Sequence, residues 1–249
     1  NDKKKNYTIS DDFSKIIKIN SYEKFIESDE KKSELFNELY KCSSKMLNII
    51  ANIFMSPGPV LIYSNFVNME GFEIFKIYLK KCGFSKYVDN LKGKDNFRYM
   101  EYHGLIDFTE RKENLKIFNL EENKYGKLCK IIMISQAGTE GISVFNIRQV
   151  HIMEPFWHEI RIEQMIGRAI RLCSHKNLPI KERHVEVYRY KSVRYISKKM
   201  STDQYIEDIA KKKSGLINSF LDAMKEAAID CELNKAHNKI EQNFRCFQF

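Results

Sequence analysis

A mainly parallel α/β sheet with helices on both faces, followed by a helical C-terminal extension, is the fold this sequence predicts. Short, wholly apolar runs alternate with segments of helical spacing over roughly residues 59–190. Breakers such as Pro57-Gly58-Pro59 and Gly83 separate them. Beyond them, Ser201-Thr202-Asp203-Gln204 opens a long tail of three- and four-residue apolar steps. Apolar runs of four or so residues suit strands buried on both faces, and their alternation with helices implies right-handed crossovers.

The elements follow in order. Residues 1–32 are charged and polar and read as a lead-in or linker. Ser33 to Met55 is helical, through Leu35, Phe36, Leu39, Met46, Leu47, Ile50 and Phe54. Val60-Leu61-Ile62-Tyr63 is the first strand, and Phe66 to Cys82 returns to helical spacing until Gly83. Phe97–Tyr102 is a strand, Glu110–Leu120 a helix, and Lys130–Ile134 and Ile147–Met153 are strands. His158–Leu172 is a helix and Val185–Tyr190 an alternating strand. Residues 33–195 therefore form the lobe, and 196–249 the helical extension. Ser201 with Gln204 makes a capping box at its start. One long helix, or two broken near Gly215, packed on the lobe, is expected there.

Composition narrows the class. Hydrophobic residues make up 43% and charged residues 30% of the 249, as for a domain with a buried core. No run of 18 apolar residues occurs, so no membrane span and no membrane partner are predicted. Asn1 is not Met and no apolar signal region follows, so a longer parent is expected. The net charge is +9, with eleven basic against five acidic residues between Lys176 and Lys213. Such a segment suits a phosphate backbone, though a solvated lysine-rich surface looks the same. The six cysteines form no CxxC pair and read as reduced thiols. Cys173, His175 and His184 match no zinc spacing, so no metal is expected on this chain.

The loops after the strand C-termini are where ligands bind in such sheets, and two of them carry chemistry. Gln164-Met165-Ile166-Gly167-Arg168-Ala169-Ile170-Arg171 is a Q-x-x-G-R-x-x-R pattern on the helix after the fourth long strand. Arg168 and Arg171, three apart, are expected on one helical face, near Arg161 and Gln164. Gly167 costs about 1 kcal/mol in a helix interior relative to Ala, so close approach of a ligand or another backbone is expected there. Two Arg beside a Gly can clamp a triphosphate bidentately. A bare R-x-x-R would sooner pair with surface acids. It is Ser135-Gln136-Ala137-Gly138-Thr139-Glu140-Gly141-Ile142-Ser143, some 25 residues upstream, that favours the phosphate reading. That loop follows the strand Ile131–Ile134 and offers backbone N–H groups and hydroxyls to phosphates. The interleaving of Arg189, Lys191, Arg194, Lys198 and Lys199 with Tyr188, Tyr190 and Tyr195 fits nucleic acid or a half-buried edge strand equally. Trp157 could stack a base but is expected to pack on the neighbouring helix. No G-x-G-x-x-G opens a helix, which sets aside a dinucleotide enzyme.

These segments resemble superfamily 2 helicases. Ile131–Trp157 resembles motif V and the strand after it, Gln164–Arg171 motif VI, and Val60–Ser64 the strand of motif IV. Arg171-Leu172-Cys173-Ser174-His175-Lys176-Asn177-Leu178-Pro179, and Ala228–Asn234, are similar to the Swi/Snf-like branch of large DNA viruses. Poxvirus-type early transcription factors and nucleoside triphosphate phosphohydrolases belong to that branch. The resemblance covers roughly residues 40–235 and implies a RecA-like second lobe. Arg168 and Arg171 would then be arginine fingers, with Gln164 bridging nucleotide and interlobe contact. Gly141, Gly167 and Glu140 would lie at the ATP and interlobe cleft. Ser64, Asn65, Gly138, Thr139 and His103 would lie near the nucleic-acid backbone. ATP and Mg2+ would be held mainly by an upstream RecA-like lobe, since no G-x-x-x-x-G-K-[ST] occurs here. The implied partners are nucleic acid, DNA ahead of RNA, that N-terminal lobe, and RNA polymerase. The implied location is the virion or host cytoplasm for a viral protein, otherwise the cytosol or nucleus. The competing reading is a non-translocating scaffold for nucleic acid or polymerase in a viral transcription complex. Intact Arg168 and Arg171 weigh against it.

Overall fold

The structure, a computed structural model, describes residues 29–69, 71–87, 97–136, 141–194 and 199–233. Six strands form one sheet: β1 (Val60–Tyr63), β2 (Ser85–Lys86), β3 (Arg98–Tyr102), β4 (Ile131–Ile134), β5 (Gln149–Ile152) and β6 (Glu186–Arg189). Their spatial order is β2-β3-β4-β1-β5-β6 and every pair is parallel. Tyr63 is level with Ile134 and Ile152, and Ile134 with Tyr102. The loops leaving β1, β3, β4 and β5 therefore emerge side by side along one edge.

Side chains alternate across the central strands, and each face has its own core. Val60, Ile62, Ile131 and Met133 pack against α1 (Asp29–Cys42), α2 (Ser44–Met55) and α3 (Phe72–Lys81). Leu61, Tyr63, Ile132, Ile134, Val150 and Ile152 pack against α4 (Phe108–Phe118) and α5 (Glu159–Ala169). The predicted mainly parallel sheet with helices on both faces is what the chain adopts.

The departures are local. The predicted helix over 33–55 starts at Asp29, inside the segment read as linker, and divides at Ser43. Ser43 is extended, at φ −158° and ψ 105°, and its hydroxyl accepts from the Met46 amide. It ends one helix and caps the next. The helix expected from Phe66 begins only at Phe72, because Phe66 and Val67 fold back over its first turn. Phe72 N donates to Phe66 O at 3.1 Å and Glu73 N to Val67 O at 3.1 Å. A Cβ on Gly71 would lie 1.7 Å from that Phe66 oxygen, so only glycine fits. The two-residue strand β2 was not predicted; it is too short to show a period.

The tail is the single helix α6 (Thr202–Ala227), which runs through Gly215 without a break, followed by α7 (Ile229–Leu233). Ser201 and Gln204 form the predicted capping box. Packing on the lobe is limited to its first half. Ala210 is its one buried residue among those described, while Leu216 is 73% and Phe220 66% exposed. Among the described residues, no helix is long and apolar enough to cross a membrane. Cys42, Cys82, Cys129 and Cys173 carry free thiols, but Cys231 is disulfide-bonded, which corrects the expectation of six reduced thiols. Cys246 lies outside the described residues.

Candidate functional site

At the carboxyl edge of the sheet lies a cleft of about 1130 Å³. Its floor is Tyr63, Asn65 and Ser135 at strand ends, and one wall is the turn Phe66–Met69. The opposite wall is the first turns of α5, through His158, Ile160, Arg161 and Gln164.

That first wall is fixed by a buried acid. Glu154, two residues past β5, is 9% exposed. Its carboxylate accepts from Ser64 Oγ (3.0 and 3.1 Å), from the Asn65 backbone amide (2.6 Å) and from Asn65 Nδ2 (3.3 Å). Tyr63 donates its hydroxyl to Asn65 Oδ1 at 2.9 Å. Burial raises the Glu154 carboxyl pKa, and the bonds from Asn65 and Ser64 only partly offset that. Burial, with Glu154 beside it, likewise raises the Tyr63 phenol to about 12. Ser64 is fully buried, and its hydroxyl oxygen also accepts from the Phe66 amide. Its predicted contact with a nucleic-acid backbone is therefore corrected: it shapes the turn, while half-buried Asn65 lines the cleft.

His103 is also corrected. It directly follows β3 but is 4% exposed, with Nε2 2.9 Å from Glu101 Oε2, and its ring is 6.2 Å from that of Phe72. Lys76 donates to the same Glu101 oxygen at 3.0 Å. Burial pushes Glu101 up, but the bonds from His103 and Lys76 outweigh it and leave the carboxyl lowered. The neighbouring Gly104 and Leu105, not the ring, face the cleft.

On α5 the pattern is amphipathic. Ile162, Met165 and Ala169 are buried against the sheet. Arg161, Gln164 and Arg168 precede each by one residue, a rotation of about 100°, and form an outward stripe. Arg161 lies over Phe156, 5.3 Å from the ring centroid, and Gln164 is exposed on the cleft. Arg168 is half-buried and pairs with no acid among the described residues. Nothing among the described residues lies within 4 Å of a Cβ built on Gly167. Among the described residues, none supplies the close approach expected at that glycine.

Arg171 departs from prediction. The helix ends at Ala169 with Ile170 as its cap, so Arg171 is not on the helical face of Arg168. It is exposed, and its NH1 donates to Ser143 Oγ at 2.9 Å. Ser143 lies within the loop after β4. Of the residues predicted there, Gly138, Thr139 and Glu140 lie outside the described residues. Gly141 is exposed at φ +74°, with open space around it. The two motifs are thus joined across the lobe.

Two aromatic expectations resolve differently. Tyr188 and Tyr190 stack on buried His151, at centroid distances of 5.0 and 5.8 Å, so the half-buried edge strand accounts for them. Trp157 is 41% exposed instead of packed away. Glu154, Asn119 and Arg161 escaped the sequence-based site list. A lone acid beyond a strand is the one signal Glu154 offered, and Asn119 offered none.

A parallel sheet whose carboxyl edge opens a cleft between a backbone turn and a glutamine–arginine helix defines an α/β lobe with its candidate site at the strand ends. The chain belongs to the family of the helicase conserved C-terminal domain, whose profile matches residues 44–173. It is 48% identical over 238 residues to a protein named as an ATP-dependent RNA helicase, R350 of Acanthamoeba polyphaga mimivirus, across 93% of this chain and 29% of that protein. It is 34% identical to nucleoside triphosphatase I of Melanoplus sanguinipes entomopoxvirus, across 90% of this chain and 32% of that protein. It is 31% identical to the termination factor NPH-I homolog of African swine fever virus (isolate Pig/Kenya/KEN-50/1950), across 84% of this chain and 36% of that protein. The chain therefore spans about a third of the length of these relatives.

Proposed function

We propose that this chain is the C-terminal motor lobe of an ATP-dependent nucleic-acid helicase or translocase. It contributes arginines to ATP held by an upstream lobe, and binds a nucleic-acid backbone along the cleft. The observation that carries this reading is the outward stripe Arg161–Gln164–Arg168, with Arg171 beside it. Arg168 and Arg171 are free of acidic partners among the described residues, and Arg171 is exposed. Two guanidinium groups not neutralised within their own lobe suit a ligand with concentrated negative charge. The γ-phosphate of ATP, presented from across an interlobe cleft, is such a ligand.

Each step has a residue. Gln164 at the cleft wall carries both donor and acceptor for nucleotide and interlobe contact. Arg168 and Arg171 stabilise charge that develops during phosphoryl transfer, a role worth roughly 10³–10⁵ in rate. Asn65 and the loop before Ser143 face the nucleic acid, so that closing two lobes over ATP moves the strand. Magnesium would come with the ATP held by the upstream lobe. The relatives' names point to RNA helicase and to termination factor functions; DNA is our leading track. A role beside RNA polymerase is part of the same proposal.

The test uses the protein with its upstream residues restored. ATPase activity is measured with and without single-stranded or duplex DNA and RNA, each added separately. We expect nucleic-acid-stimulated turnover in the parent, none in this chain alone, and at least a thousandfold loss in Arg168→Ala and Arg171→Ala with unchanged melting. Wild-type turnover in Arg171→Ala would refute the finger assignment. Tight nucleic-acid binding with no ATPase in the parent would favour the scaffold.

A further inference from the structure

Arg171 is reached through a chain of contacts that starts outside the recognised motifs. Asn119 caps the C-terminus of α4 at φ −85° and ψ 0°. Its side-chain amide grips the loop after β4 at two points. Nδ2 donates to Ser143 O at 2.8 Å, and Oδ1 accepts from the Phe145 amide at 3.0 Å. This is the pattern a neighbouring strand would make, supplied by one side chain. The residue held this way is Ser143, whose hydroxyl in turn accepts from Arg171. Farther along, Asn146 N donates to Ser174 O at 3.0 Å and His175 Nε2 to Ile147 O at 2.7 Å. From Arg171 onward, the segment leaving α5 is laced to the loop after β4.

We propose that Ser143, supported by Asn119, is a positioning residue for Arg171. It holds the guanidinium at the lobe surface before nucleotide arrives. This rests on the motor reading above. One N–H of the fork is used and the others stay available for phosphate. An unanchored arginine samples many rotamers and must give up that freedom in the transition state. Anchoring it beforehand turns that loss into a feature of the fold. The anchor should therefore appear in kcat, with little change in ATP affinity.

The experiment measures nucleic-acid-stimulated ATPase in the full-length parent. Ser143→Ala is expected to lower kcat about tenfold, on the scale of one arginine's rotamer freedom, with KM for ATP unmoved. Ser143→Thr, which keeps the hydroxyl, should restore kcat. Asn119→Ala should reproduce the loss with Ser143 intact. In an Arg171→Lys background, Ser143→Ala should cost nothing further, because the two act through one contact. Unchanged or raised kcat in Ser143→Ala, or no recovery in Ser143→Thr, overturns the proposal. If Arg171→Ala itself keeps full turnover, the finger assignment on which this proposal rests fails. If Arg171→Ala is inactive and Ser143→Ala is normal, only the positioning role fails.

Discussion

Replacing Gly167 by alanine separates what the fold wants from what the function wants. Gly167 lies in the last turn of α5, is exposed, and does not have positive φ. A Cβ there meets nothing within 4 Å among the described residues. Nothing in this lobe repays the glycine, so alanine should recover most of the helix propensity. That is about 0.5–1 kcal/mol, or a rise in Tm of about 1–4 °C for a domain of this size. Thermal melting of the 249-residue chain, followed by circular dichroism at 222 nm, reads this directly. In the full-length parent the same methyl should obstruct whatever comes close to the helix between Gln164 and Arg168. We expect nucleic-acid-stimulated ATPase to fall at least tenfold while stability rises. A destabilised Gly167→Ala would refute the claim that the lobe leaves this position open. A stabilised variant with normal turnover would refute the claim that a ligand or second lobe needs that space.

Other outcomes follow from the buried polar groups. Glu154→Ala strips the acceptor from Ser64 and Asn65 and should cost about 2–3 kcal/mol. Faster hydrogen exchange at the Asn65 amide should accompany it; unchanged exchange would mean the turn is held by other bonds. Burial pushes His151 down to about 3, so it is neutral in the fold but takes a proton when unfolded below about 6.5. Between those values the unfolded state binds more protons, so stability must rise with pH and fall on acidification. The slope is at most about 1.4 kcal/mol per pH unit. Melting from pH 4 to 7 should show that slope in the wild type and lose it in His151→Gln; an unaltered slope would assign the acid sensitivity to another group. Lys130 donates to Ser56 O, and burial brings its ammonium down to about 8. Stability should therefore gain a contribution as pH rises from 8 toward 10.5, absent in Lys130→Met.

How much was legible in advance depended on the range of the interaction that fixes each feature. Val60–Tyr63 and Ile131–Ile134 are fully buried, so their apolar character alone betrays them. The capping box at Ser201 is closed within four residues and was equally plain. The break at Ser43 was not, because apolar spacing continues across it and one hydroxyl decides the matter. Sequence placed Arg171 on the helix because the pattern has helical spacing. Yet the chain turns out at Ile170, and Cys173 adopts φ +63° soon after. Ser64 shows the opposite error. Its position after a buried strand suggested a ligand contact, but an acid 90 residues away claims its hydroxyl.

The same logic explains why this site could be found yet not assembled from its motifs. A helix stripe is local, so Gln164 and Arg168 announce themselves through spacing. Distance in the chain hides the joints: Glu154 to Asn65 spans 89 residues, Arg171 to Ser143 spans 28, and Asn119 to Ser143 spans 24. Glu154 and Asn65 stand on loops leaving β5 and β1, which the parallel register brings together; the other two joints tie the loop after β4 to the ends of α5 and α4. The motifs thus supply the charged groups, while polar residues between them hold those groups in place. A variant series confined to the motif arginines would measure the charge and miss the frame. Pairing each arginine with its anchor, as for Arg171 with Ser143, measures both.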